Sequence, residues 1–331
     1  YEQLSSLNYF PQTRIIQLKD IKYNSINKEL GTPFVIQYDR GHTGSGTVFI
    51  NSEEELISEQ KLYPERICKV SRYINGDAWT INACSTRFGT VYGGLSYQIT
   101  GLPECTSKKG ATVGNDWTHE IDYDVLEQIK IMTEEIGEKM YKQGFKGMFG
   151  LDIVIENGLA YLIEVNARQT ASVSMHTKLM LKDNHIPLEI LHILEYISKN
   201  DNEYLENINT ILNTKYTQEE LSTVLKEQND IAIQPIQASQ IIIRNSTNSE
   251  IKINKENKTG IYKYENNNLK YIREGYSIDD ILNKDEYCII FQEKNRIVSE
   301  EYEIARIQSL SPLLSHTNIN EILKKIKEKV I

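Results

Sequence analysis

Much is excluded by what this 331-residue chain lacks. Its four cysteines, Cys68, Cys84, Cys105 and Cys288, are scattered without C-x-x-C spacing. That argues against a zinc ribbon and against a disulfide framework, and leaves reduced thiols as the expectation. No apolar run approaches the roughly 20 residues needed to span a bilayer. The opening YEQLSSLNYFPQTR lacks the charged-then-apolar order of a signal peptide, so a cytoplasmic location is expected. Lys and Arg number 37 against 46 Asp and Glu, a formal net charge of −9. Nucleic acid and anionic membranes both require concentrated basic surface, so neither is expected as a partner, and an anionic ligand would need local cations. Neither a metalloprotease helix nor a G-x-S-x-G nucleophile elbow occurs. The chain does not begin with Met and its first residues read as mid-domain sequence, so an upstream segment is expected.

What is present is ordinary globular composition, 40% hydrophobic and 25% charged, enough for two domains or a lobed one. GTPFVIQY (31–38) and GTVFI (46–50) read as strands joined by DRGHTGS. A short helix follows, with Ser52 and Glu55 as a capping box. ICKVSRYI, AWTINACST and TVYGGLSYQI read as successive strands broken at Asn75-Gly76 and Phe88-Gly89. Val125, Ile129, Met132, Ile136 and Met140 repeat at helical spacing from Asp122 until Gly144 stops the pattern. Two helices with a break before Pro187 come next, then a polar connector over 198–230 holding one helix from the Thr217/Glu220 capping box to Glu227. Residues 231–310 return to β-like alternation, and Ile319, Ile322, Leu323, Ile326 and Val330 mark a closing amphipathic helix.

Two stretches carry chemistry. DRGHTGSGTVFI has the glycines to wrap backbone N–H groups around phosphates. Its G-x-x-G-x-G spacing leads into a strand, unlike the dinucleotide fingerprint, and no G-K-[ST] follows, so a phosphate flap or an ordinary hairpin loop remains. GLDIVIENGLAYLIEVNARQ (150–169) places Asp152, Glu164, Asn166 and Arg168 among apolar residues. A two-residue Asn157-Gly158 turn would set residue 151 opposite 164 and face Asp152 away from Glu164. A three-residue turn, Glu156-Asn157-Gly158, would put Asp152, Glu164 and Asn166 on one face and Leu151, Ile153, Ile155, Leu159, Tyr161 and Ile163 on the other. Two carboxylates on one partly buried face need a cation or a shifted proton. Oxygen ligands without Cys or His suit Mg²⁺, which completes its shell with water and nucleotide phosphates.

Together these pieces resemble the ATP-grasp superfamily, in particular its biotin carboxylase-like and carbamoyl phosphate synthase-like carboxylate-amine ligases, over about residues 15–195. GTPFVIQYDRGHTGSGTVFI is similar to the first lobe with its phosphate loop, ICKVSRYINGDAW to the hinge that holds adenine, and FGLDIVIENGLAYLIEVNAR to the metal-binding hairpin. The resemblance implies an α+β ATP-grasp fold. Its expected parts are a first lobe over 1–70, a second over 71–200 and a polar connector with β-rich C-terminal subdomain over 201–331, the domain that precedes the ATP-grasp unit being absent. It also implies ATP and Mg²⁺, with Mn²⁺ as a substitute, and the metal ligands Asp152, Glu164 and Asn166. Arg168 would hold the carboxylate or acyl phosphate, and Gln37, Gly44, Ser45, Gly46, Ser71, Arg72, Ile74 and Asp77 would line the nucleotide site.

Four positions depart from the pattern. Gln37 stands where many members carry a phosphate-binding Lys, Ser71 replaces a hinge Glu, Asp77 matches the ribose acid only approximately, and Ala167 replaces a common Pro. Lys69 or Arg40 are candidates for the missing charge. The expected reaction joins a small-molecule carboxylate, via an acyl phosphate, to an amine, with amino acids among the candidate substrates. A small-molecule kinase and a non-catalytic ATP-binding protein are the alternatives. A homodimer is one candidate assembly. Asn115 and Asp116, Lys108 and Lys109, His42, and Ser172, Ser174 and His176 are further candidates, each also readable as loop, cap or packing.

Overall fold

The computed structural model describes residues 3–38, 46–108 and 110–330. Gly44, Ser45, Arg40, His42 and Lys109 therefore lie outside the described residues. The first lobe comprises β1 (Thr13–Gln17), α1 (Tyr23–Leu30), β2 (Phe34–Tyr38), β3 (Thr47–Ile50), α2 (Glu53–Leu62) and β4 (Ile67–Arg72). Its sheet runs β1-β4-β2-β3, antiparallel throughout. Ile26, Leu30, Phe34, Ile36, Ile50, Leu56 and Val70 bury themselves between sheet and helices. Ser52 caps α2 by accepting from the Glu55 N–H, while the Glu55 carboxylate accepts from the Asn51 N–H one residue earlier. The expected box thus closes on Asn51.

The second lobe follows as β5 (Asp77–Thr86), β6 (Gly89–Tyr92), β7 (Ser96–Thr100), β8 (Thr112–Asp116), α3 (Tyr123–Lys142), β9 (Gly147–Glu156) and β10 (Leu159–Asn166). TVYGGLSYQI, expected as one strand, divides at Gly93-Gly94. Gly93 leaves room for the His176 ring, which a Cβ there would meet at 1.7 Å. Helix α3 starts directly after Asp122, its N-cap, where the sequence pattern opens, and packs Val125, Ile129, Met132 and Ile136 onto Trp79, Ile81, Leu151, Ile153 and Leu162.

Four further helices, α4 (Val173–Lys182), α5 (Leu188–Ile197), α6 (Asp201–Leu212) and α7 (Gln218–Ala232), lead to the C-terminal strands. The Thr217/Glu220 box caps α7 as expected. α6 is an addition to the expected connector: Tyr204 and Ile208 bury against the cluster of Cys84, Leu191, Leu194, Leu221 and Leu225. Strands β11 (Ser239–Arg244), β12 (Ile251–Lys252), β13 (Gly260–Glu265), β14 (Asn268–Arg273), β15 (Glu286–Phe291), β16 (Ile297–Val298) and β17 (Glu303–Ser309) come before α8 (Ile319–Val330). β11 pairs with β8, so the C-terminal strands continue the second lobe's sheet in the order β10-β9-β5-β7-β8-β11-β17-β15-β13-β14, with β6 on β5. Apart sits the small β12–β16 ladder. The fold is α+β with antiparallel sheets. No helix among the described residues is long and apolar enough to cross a membrane.

Candidate functional site

A cleft of about 780 Å³ separates the four-stranded sheet from the β9–β10 end of the larger one. Gln37, Gly46 and Lys69 line one side; Thr80, Gln98, Asn115, Asp152, Glu164 and Asn166 line the other, with Arg168, Thr170 and Ser172 beyond them.

The hairpin reaches the expected facing by an unexpected route. Glu156 pairs with Leu159 across a two-residue turn whose Asn157 and Gly158 take φ of 52° and 78°, the primed-turn conformation that an Asn-Gly pair favours. The three-residue alternative is therefore not the one adopted. A β-bulge at Ile163 adds the missing residue: Leu162 pairs with Ile153, but Glu164 pairs with Asp152. One inserted residue restores the phase wherever it is placed. The bulge also redistributes the apolar side chains. Leu162 enters the core with Leu151 and Ile153, whereas Leu159 is 52% exposed, Tyr161 lies under the Arg72 guanidinium, and Ile163 lines the cleft.

Asp152 is held by two side-chain amides. Gln98 Nε2 donates to its Oδ1 at 2.6 Å and Asn166 Nδ2 to its Oδ2 at 3.0 Å. Thr80 faces it across the β5–β9 ladder, its hydroxyl donating to the Leu151 carbonyl at 3.0 Å. Burial nevertheless pushes the Asp152 carboxyl above its ordinary range, against those donors. Glu164 is also raised, first by burial and then by the Asp152 charge beside it. Two adjacent acids that both resist ionisation make a place where a cation is favoured. Among the described residues, no group of three or more His, Cys, Asp or Glu could hold a metal by itself. Two carboxylates and an amide are a partial, all-oxygen shell, which fits Mg²⁺ sharing its coordination with phosphates and water and does not fit zinc.

Arg168 Nη2 donates to Asn166 Oδ1 at 3.1 Å and Nη1 to the Gln169 carbonyl at 3.0 Å. Its guanidinium therefore stands at the cleft, next to the acids. On the opposite wall, Lys69 Nζ reaches across to donate to the Ile163 carbonyl at 2.9 Å. Burial lowers its pKa to about 8, with the Glu164 charge acting in the other direction.

The remaining candidates divide. Ser71 is buried, Ile74 is 5% exposed, and neither they nor Arg72 and Asp77 are among the residues lining the cleft. Arg72 Nη1 instead donates to Glu156 Oε2 at 2.8 Å, and the Asn75 N–H to Glu156 Oε1 at 2.7 Å. This ties the turn after β4 to the hairpin tip. Gly76 permits the approach, since a Cβ there would lie 1.8 Å from the Ile155 carbonyl. Asn115 lines the cleft and donates to Ser96 Oγ at 3.0 Å. Asp116 is buried and accepts from the Thr118 backbone and hydroxyl. Ser172 joins Asn82 and Thr170 in a hydrogen-bonded cluster at the cleft's edge. Ser174 lies outside the cleft lining. His176 is a packing residue: it is 1% exposed and its Nε2 accepts from the Gly94 N–H at 2.7 Å. All four cysteines are unpaired and buried. Gln98 and Thr80 carry no signal in the sequence; only their strand registers bring them to Asp152.

A family model described as ATP-grasp domain matches residues 6–172. Among solved structures, the chain is similar to the biotin carboxylase domain of Hydrogenobacter thermophilus 2-oxoglutarate carboxylase, solved with MgADP, ADP and bicarbonate. The TM-score is 0.54 at 14% identity, covering 94% of this chain and 60% of that one. It is also similar to N5-carboxyaminoimidazole synthetase from Staphylococcus aureus complexed with ADP, with a TM-score of 0.52 at 13% identity, covering 99% of this chain and 69% of that one. Carboxyaminoimidazole ribonucleotide synthase from Aspergillus clavatus complexed with ATP gives a TM-score of 0.56 at 10% identity, covering 100% of this chain and 72% of that one. At these identities the likeness is one of fold. No curated protein sequence matches the chain.

Proposed function

The chain belongs to the ATP-grasp family, and on that premise we propose that it is an ATP-dependent carboxylate-amine ligase. The observation that carries this reading is the opposition of charges across one cleft: Asp152, Glu164 and Asn166 on one wall, Lys69 on the other, and Arg168 beside the acids. In this reading ATP lies between the walls. Mg²⁺, when bound by Asp152, Glu164 and Asn166, neutralises phosphate charge and aligns the terminal phosphoryl group.

A substrate carboxylate oxygen attacks the γ-phosphorus, the bond to the β-phosphate oxygen breaks, and ADP leaves with its electron pair. An amine then attacks the carbonyl carbon of the acyl phosphate, inorganic phosphate departs, and the amine loses a proton to give the amide. The chain's contribution is alignment and charge compensation. Gln98 and Asn166 orient Asp152. Arg168 makes its hydrogen bonds to the neutral oxygens of Asn166 and Gln169, so its positive charge stays available for the substrate carboxylate and then for the acyl phosphate.

The test is phosphate release with ATP, Mg²⁺ and pools of carboxylic acids, including amino acids, with and without amines. Release that depends on both a carboxylate and an amine is expected. Release indifferent to amine, or a stable phosphorylated product, would overturn the ligase reading and favour a kinase.

A further inference from the structure

The first-lobe wall of the cleft is a single transverse row. Register pairs Ile15 with Lys69, Lys69 with Gln37 and Gln37 with Thr47. Residues directly opposite in an antiparallel ladder point to the same face, so these four side chains share one surface, and all four line the cleft. Lys69 is the only charged member of the row. Among the described residues lining the cleft, the other cation is Arg168, which belongs to the opposite wall.

A nucleotide triphosphate placed between these walls carries several negative charges, and the wall of Asp152 and Glu164 repels them except through a cation. Beyond that cation and Arg168, compensation falls to the other side, where Gln37 can donate hydrogen bonds but brings no charge. Lys69 can bring it. Its ammonium has three donors, and among the described residues it makes one hydrogen bond, to the Ile163 carbonyl that the bulge turns toward the cleft. That bond holds the ammonium in place near Glu164 and leaves two donors for an anion.

We propose that Lys69 is the phosphate-binding cation of this cleft, carried one strand over from the neutral Gln37 that faces it in the ladder. The inference rests on the proposed ATP chemistry and adds a residue to it.

The test titrates ATP and ADP against the full chain, alongside thermal unfolding without nucleotide. Lys69→Met should weaken both nucleotides by at least about tenfold, the scale of one lost charge-assisted hydrogen bond, with an unchanged melting temperature. The exchange Gln37→Lys with Lys69→Gln should recover most of that affinity, because the charge returns to the same row. Lys69→Met that binds ATP like the wild type would overturn the assignment while leaving the ligase reading standing. Weakened binding that Lys69→Arg and the exchange both fail to restore would also overturn it, marking Lys69 as a support for the hairpin. A wild-type chain that binds no ATP would sink the ligase reading itself.

Discussion

Both walls of the cleft are antiparallel ladders, yet they hold their polar groups differently. On the larger sheet, Asp152 is gripped by Gln98 and Asn166 and backed by α3 through Ile81, Leu151, Ile153 and Leu162. On the four-stranded sheet, one long lysine reaches into the cleft beside a neutral glutamine. A carboxylate fixed by short donors sets a geometry, whereas a four-carbon stem can follow its ligand. On the proposed reading, alignment comes from the hairpin and compensating charge from the four-stranded sheet.

The sharpest way to break this comparison is to remove the carboxylates' charge and set the result against the other wall. Glu164→Gln should lower turnover by more than about 100-fold, the scale of losing preorganised electrostatic stabilisation, with the fold retained. Gln37→Ala should cost less than about tenfold, as for a neutral hydrogen bond. Steady-state phosphate release measures both, and the reverse order would mean that the hairpin is not the alignment site.

A pH series sharpens the same contrast. Asp152 and Glu164 both sit above the ordinary carboxylate range, chiefly through burial, so protons compete with a bound cation. The melting-temperature gain from Mg²⁺ and ATP should shrink as pH falls from about 8 to about 5, because cation binding then displaces more protons. In Asp152→Asn the gain should be small at every pH. A wild-type gain that grows toward acid would contradict the shared-cation reading.

A separate effect, on stability and not on turnover, lies behind the larger wall. His176 is held neutral in the core, its pKa lowered to about 4 by burial. Its folded value lies below the unfolded one, so its contribution is complete above about 6.5 and lost as pH falls toward 4, with a slope approaching 1.4 kcal/mol per unit. Chemical denaturation across that window should show the slope, and His176→Gln should flatten it.

Much of this is legible in the sequence. Spacing places α3, the α7 capping box and the acid-amide-arginine series of the hairpin, because each depends on residues within a few positions of one another. The hairpin's phase is not legible there. A longer turn and a bulge each insert one residue, and choosing between them depends on contacts from elsewhere, such as the Leu162 N–H donating to the Tyr9 carbonyl. Helix α6 leaves little apolar periodicity to read because Tyr204 and Ile208 are its only buried residues, and what buries them comes from other helices and strands.

The sequence by itself determined which residues stand together as candidates: Asp152, Glu164, Asn166 and Arg168 are tied by short spacing to one strand pair and its exit. Only the tertiary structure decided how they face one another and what stands opposite. Register between distant strands set Glu164 beside Asp152, brought Gln98 and Thr80 to that carboxylate, placed Lys69 across the cleft, and turned Arg72 toward Glu156. The physical reason is that strand pairing joins residues far apart in the chain, and a single bulge reverses which side of the sheet every following residue serves.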